Sequence, residues 1–143
     1  MNKTQMLNMD INQKWYIIDA KGCKVGRLAT EVAAILRGKN RASFHPSQNP
    51  RDYVIIINSQ DLEVTGNKQL DKIYYRHSGR PGNLKKENFN NLQKRLPNKI
   101  IEHAIRKMLP KGVLGRRLFK NLKVYSGREH PHQAQNPKHM YIN

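Results

Sequence analysis

The chain has 143 residues, with 27 Lys and Arg against 10 Asp and Glu, a formal net charge of +17, and 37% hydrophobic residues. That length fits one domain able to bury roughly two thirds of the surface its unfolded chain exposes, and the charge is far beyond the magnitude of about 2 to 8 that solubility alone calls for. The single cysteine, Cys23, excludes an internal disulfide framework and a Cys-rich zinc site, and no apolar run approaches the roughly 18 residues of a membrane span.

Residues 1–13 are mostly polar and have neither the apolar core of a signal peptide nor the Arg-rich pattern of a transit peptide. They are expected to form a flexible extension on a protein that works where it is made. Trp15 to Asp19 (WYIID) reads as a short strand, followed by a turn through Lys21, Gly22 and Cys23. A helix is expected from Gly26 to Arg37, because Leu28, Val32, Ile35 and Leu36 fall at i, i+4, i+7 and i+8 on one face, with Gly38 placed for a left-handed cap. After a loop with His45, Pro46 and Pro50, the run Tyr53 to Ile57 is continuously apolar, the mark of a central strand covered on both faces in a parallel sheet. Glu63 to Thr65 before Gly66 and Asn67 suggests a short strand and turn, and Lys72 to Arg76 a further extended segment.

From Leu84 to Leu96 the spacing of Phe89, Leu92 and Leu96 predicts a helix, interrupted at Pro97. A second helix places Ile101, Ala104, Ile105, Met108 and Leu109 on one face, turns Lys99, His103, Arg106 and Lys107 away, and stops at Pro110. Leu114, Leu118 and Leu122 repeat the pattern with Arg116, Arg117 and Lys120 between them, before a last short strand at Val124 and Tyr125. The end of the chain has three His, two Pro and little apolar content, and is expected as an extended surface segment. The organisation is then an α/β domain over 14–127 and a tail over 128–143.

Charge is concentrated in the second half, where residues 71–143 hold seventeen basic and four acidic side chains. Lys72 to Lys86 has five basic residues and no acid, and His103 to Arg128 eight and none. Such fields attract polyanions. A membrane surface fits less well, since the apolar stripes are needed for the core. Within IYYRHSGRPG (73–82), Tyr74 and Tyr75 offer faces for stacking, Arg76 and Arg80 offer planar forks for phosphate, and Gly79 and Gly82 allow close backbone approach. This favours RNA over smooth duplex DNA; the plainer alternative is a strand and turn with solvated charges. In the segment 108–123 the leucines and Phe119 read as core, and Lys111, Arg116, Arg117, Lys120 and Lys123 as the functional face.

Catalytic signals are weak. Gly22 and Gly26 lie between a strand and a helix but match neither G-x-x-x-x-G-K-[ST] nor G-x-G-x-x-G. His130, His132 and His139 have only Glu129 grouped with them, too little for a metal site. Ser43, Ser59, Ser78 and Ser126 lack the Gly-x-Ser-x-Gly elbow, and nothing marks Cys23 as a nucleophile. No enzyme activity, cofactor, metal or small-molecule substrate is therefore expected.

Across about residues 14–137 the chain resembles the large ribosomal subunit protein thirteen family in its bacterial and organellar form. The likeness is carried by WYIIDAKG at 15–22, GRLAT at 26–30, LRGK at 36–39, VTGNK at 64–68, YYRHSGRPG at 74–82, MLPKGVLGRRLFKNLKVYSG at 108–127 and HPHQAQNP at 130–137. RHSGRPG and the last motif look most like the cyanobacterial and plastid branch. The loop RASFHPSQNPRDY at 41–53 departs from the family's usual threonine, proline and acidic pattern. The resemblance implies a three-layer α/β/α domain with a small, mostly parallel four-stranded sheet and a basic extended C-terminal tail. It implies a structural constituent of the large ribosomal subunit, without enzyme activity, that binds large-subunit rRNA and supports early assembly. The expected rRNA contacts are Arg76, Arg80, Lys111, Arg116, Arg117, Lys120 and Lys123, followed by Lys39, Lys68, His77 and His130. Its partners would be rRNA and neighbouring ribosomal proteins rather than a second copy of itself. Fifteen Asn and twelve Ile, together with the branch resemblance, point to a plastid ribosome in the stroma, with a bacterial cytoplasm as the alternative. Two other classes are a free RNA-binding regulator and an RNA-processing enzyme using His77 beside Arg76 and Arg80.

Overall fold

The computed structural model describes residues 13–142, so all but the last residue of the expected N-terminal extension lies outside the description. The first unit is β1 (Trp15–Asp19), α1 (Val25–Arg37) and β2 (Tyr53–Ile57), at the places the apolar spacing predicts. Leu28, Val32, Ile35 and Leu36 are all buried on α1. Gly38 caps the helix at φ 75°, its N–H donating to the Ile35 carbonyl at 2.8 Å. A Cβ on Gly38 would also come within 2.8 Å of the Pro50 side chain, so the loop folds back where only glycine leaves room. That loop is closed by a buried ion pair. Asp52, 2% exposed, takes the Arg41 guanidinium and accepts the Lys14 N–H at 3.2 Å.

The chain continues through a one-turn α2 (Lys68–Asp71), β3 (Ile73–His77), β4 (Leu84–Asn88), α3 (Phe89–Arg95), α4 (Pro97–Met108), α5 (Val113–Lys120), β5 (Leu122–Val124) and β6 (Lys138–Met140). The helix expected over Leu84–Leu96 is thus half strand. LKKEN carries no helical stripe, and its pairing with β3, from Ile73↔Asn88 to His77↔Leu84, overrides the helix preference of Lys and Glu. The strand expected at Glu63–Thr65 reduces to a single parallel bridge between Lys24 and Glu63. Pro97 separates two helices by opening the second, a position where its missing N–H costs nothing.

The main sheet has the order β5-β2-β1-β6, with every pairing parallel. The steps β1 to β2 and β2 to β5 move the same way across it, so right-handed crossovers put their helices on one face. There Ile18, Val54, Ile56 and Leu122 pack with Leu28 and Val32 of α1, Phe89 of α3, Ile101 and Ile105 of α4 and Leu118 of α5. The step from β5 to β6 runs back across the sheet, and the same handedness sends its connection under the opposite face. That face buries Ile17, Ile55 and Ile57 against Trp15 and Tyr125. The third layer is therefore a strap of the tail, with one 3-10 turn at Gln133–Gln135, in place of a second layer of helices. The segment expected to lie extended on the surface also supplies an edge strand, since β6 pairs with β1 through Tyr16↔Lys138 and Ile18↔Met140.

The connections are tied together by side chains. Ser59 donates to Asn98 Oδ1 at 2.5 Å, and Asn98 donates to the Val124 carbonyl at 3.2 Å, joining the ends of β2 and β5 to the start of α4. Gly115 is buried in α5, where a Cβ would overlap the Pro110 carbonyl oxygen and lie 2.9 Å from the carbonyl carbon. A backbone carbonyl yields less readily than a side chain. Gly115→Ala should therefore lower stability by about 1–3 kcal/mol, outweighing the ~1 kcal/mol that alanine gains in a free helix interior. Urea unfolding measures this, and an unchanged or raised midpoint would show that α5 does not sit on Pro110 as described.

Candidate nucleic-acid interface

Strands β3 and β4 form a separate antiparallel ribbon whose residues are almost all exposed. Because side chains alternate across a strand, Arg76 shares one face with its partner Lys85, and His77 shares the other with Leu84. Arg76 and His77, adjacent in sequence, are thus set on opposite faces. The ribbon's loop holds Arg80 between Gly79 at φ 92° and Gly82 at φ 75°, both left-handed conformations that glycine adopts without strain. His77 Nδ1 accepts the Gly79 N–H at 2.9 Å, which makes this ring part of the turn and weakens its case as a catalytic base.

The two tyrosines also divide. Tyr74 is partly buried, edge-on to His103 with centroids 5.9 Å apart, while Lys72 lies 5.4 Å from its ring. Tyr75 is 61% exposed, with Lys86 5.9 Å from its ring, and is the one free to stack on a base. His103 joins the ribbon to the helices. Burial, followed by the charges of Lys107, Lys72 and Arg106, holds its imidazole below the usual histidine range. Arg106 in turn lies 6.0 Å from the Phe119 ring of α5, so a ridge of positive charge runs from the root of the ribbon over α4 to α5.

Arg116, Arg117 and Lys120 are exposed on α5, and Lys111 is exposed in the loop before it. The ion pairs of the described residues are Lys24–Glu63, Arg41–Asp52, Arg95–Glu87 and Lys99–Glu102, none of which engages these four or Arg76 and Arg80. Cations held close together without carboxylates suit a phosphate backbone. Lys123 does not join them. It stands in register with Ile55, which pairs with Ile17, which pairs with His139, so all four side chains share the strap face of the sheet. His130 belongs there too, its ring stacked on His132 at 6.5 Å and its Nδ1 accepting the His132 N–H at 3.3 Å. Lys39 lies in the turn after α1, and Lys68 opens α2 with its amine 3.3 Å from Thr65 Oγ1, so each sits on its own element.

Sequence spacing did not single out Lys72, Lys85, Lys107 or His103 as site residues. Lys85 was legible only through the pairing that brings it opposite Arg76, and the others only through the packing of the ribbon root on α4. The Cys23 thiol is pushed up by burial and by Asp19 and Glu63, the reverse of an activated nucleophile. Among the described residues, no three His, Cys, Asp or Glu side chains gather as metal ligands, and no helix is long and apolar enough to cross a membrane.

A family model described as Ribosomal protein L13 matches residues 13–131. The chain belongs to the ribosomal protein L13 family. It is 57% identical over 144 aligned positions to the large ribosomal subunit protein uL13 of Microcystis aeruginosa, covering 100% of this chain and 95% of that protein. The uL13 of Synechocystis sp. is also 57% identical with the same coverage. The large ribosomal subunit protein uL13c of Porphyra purpurea is 54% identical, over 99% of this chain and 100% of that protein. The family match ends before β6, whereas these relatives run through the tail, so the edge strand falls in the part that they share with this chain.

The perturbed histidines have a measurable consequence. His103 and His132 both hold protons less readily folded than unfolded, His132 through burial and the charges of Lys123 and His130. The unfolded chain therefore takes up protons first as pH falls below about 6.5. Stability should be full above neutrality and decline through that window, with the slope reduced in His103→Gln. Melting temperatures from pH 7.5 to 5.5 that run flat, or a slope unchanged in the variant, would contradict this account of His103.

Proposed function

We propose that the protein is a structural constituent of the large ribosomal subunit that binds large-subunit rRNA and supports assembly of the subunit. Membership of the L13 family over residues 13–131 carries this reading, together with the names of its relatives. The geometry supplies the mechanism. Arg76 and Arg80 on the ribbon, and Lys111, Arg116, Arg117 and Lys120 around α5, neutralise phosphates along one RNA path, with Lys72, Arg106 and Lys107 between them. Tyr75 adds a base-stacking face where an RNA loop opens. Lys39, Lys68 and His77 add contacts from their own elements, and Lys123 and His130 contact RNA on the strap side. The protein works as one copy among neighbouring ribosomal proteins, without catalysis. The likeness to cyanobacterial proteins and to uL13c of Porphyra purpurea supports a ribosome in a plastid stroma or a cyanobacterial cytoplasm.

If roughly 6–10 phosphates are engaged, affinity for a large-subunit rRNA fragment should fall about 10³–10⁵-fold between 50 and 200 mM salt. Arg116→Glu with Arg117→Glu should abolish that binding and leave the circular dichroism spectrum unchanged. Filter binding of the variant tests the surface; retained affinity at equal salt would remove α5 from the interface. Sedimentation of native extract after a high-salt wash tests the role, since the protein should remain stoichiometric with the large subunit.

A further inference from the structure

Between the strap and the sheet, on the face away from the helices, lies an open cavity of about 970 Å³. Sites for small organic ligands run to about 300–1,000 Å³. Ile17 and Ile57 at its bottom are only 3% and 7% exposed, so the apolar surface it offers is that of Pro131 and Pro137, and Arg128, Gln133, Asn136 and His139 stand in its walls. Tyr125 and Trp15 pack against the same isoleucines, and the Tyr125 hydroxyl lies 2.9 Å from His132 Nε2 of the strap. The chain enters β6 through Asn136, held at φ 46°, a left-handed conformation that asparagine tolerates better than most residues and that turns the strap into the edge strand.

The lining has a definite chemistry. Proline rings accept the face of a flat base; side-chain amides present both a donor and an acceptor, the combination found on base edges; an arginine and an imidazole N–H at the wall suit an anionic group. One carboxylate, Glu129, is in the lining. His130 is in the lining as well, and Lys123 lies on the same sheet face, so positive charge continues beyond the cavity. A base within a duplex is stacked and cannot enter a concavity, whereas an unpaired one can be turned out into it.

We propose that this cavity receives a single unpaired nucleotide of the bound RNA, its base against Pro131 and Pro137 above Ile17 and Ile57 and its phosphate toward Arg128 and His139. The inference rests on the RNA-binding reading above and extends it to a second surface, on the side of the sheet opposite α5. The two surfaces then grip RNA from opposite faces of one small sheet, and Lys123 and His130 belong to the second.

The test uses the full chain, isotopically labelled for NMR and titrated separately with adenosine 5′-monophosphate and inorganic phosphate. The nucleotide should shift the amide signals of residues 128–139 and of Ile17 and Ile57 saturably, and phosphate alone should not reproduce the pattern. Arg128→Ala with His139→Ala, both exposed positions, should weaken the nucleotide response at least tenfold while the Trp15 fluorescence spectrum stays that of the folded protein. No response at these amides, the same response to phosphate alone, or a response unaffected by the double variant would each overturn the proposal. The Arg116→Glu and Arg117→Glu chain keeps the cavity intact, so its rRNA binding tests the α5 surface separately: retained rRNA binding with an unchanged nucleotide response counts against that surface and leaves the cavity supported.

Discussion

The parallel pairing of β1 with β2, Ile17 against Ile55 and Ile18 against Ile56, is the constraint on which the rest of the molecule depends. Two parallel strands cannot be joined by a tight turn, so each further strand needs a crossover, and right-handedness decides which face that crossover covers. Three strands laid down in one direction bring α1, α3, α4 and α5 to the same side. The fourth, added at the far edge, brings the tail under the other. A small chain with few apolar residues thereby covers both faces of its sheet with one layer of helices and a strap.

This arrangement also determines where the charge goes. A net charge of +17 on one small domain repels itself, and among the described residues four ion pairs offset only a few of the cations. The one strongly buried pair, Arg41 with Asp52, closes the loop between α1 and β2 and contributes nothing to the outer field. Many of the remaining cations collect where α4, α5 and the β3–β4 ribbon meet, and His103, its proton affinity lowered first by burial, loses more to them. Binding a polyanion there relieves the repulsion, so folding and RNA binding support one another through ordinary linkage. The lean core and the basic surface are then two sides of one design, in which the native partner completes the electrostatics.

The ribbon shows how local and tertiary information differ. Lys85 and Lys86 favour a helix in isolation, and the next apolar residues after Leu84 sit at helical spacing from one another, so local preference alone specifies a helix from Leu84. Pairing with Ile73–His77 reverses it for five residues. Once the pairing is known, alternation separates Arg76 from His77, places Lys85 opposite Arg76, and leaves Tyr75 rather than Tyr74 free. Lys123 separates from the α5 cations for a related reason. It follows α5 closely in sequence, but β5 turns it through the plane of the sheet to the side that α5 does not reach.

Much of the protein was legible from the chain alone. The apolar periodicities of α1, β1, β2 and α4, the glycine cap at Gly38, the parallel character of the sheet, the basic second half and the family motifs all follow from interactions between near neighbours in sequence, which leave a repeating signature. The sequence determined that this is an α/β domain built for a polyanion. Tertiary structure alone decided that the tail returns as the fourth strand, that one sheet face is covered by a strap with a cavity beneath it, and that the candidate RNA contacts divide between two faces. Those outcomes turn on pairings between segments more than a hundred residues apart, such as Ile17 with His139, where three residues of KHM carry no periodicity to read and only an unfilled sheet edge specifies their place.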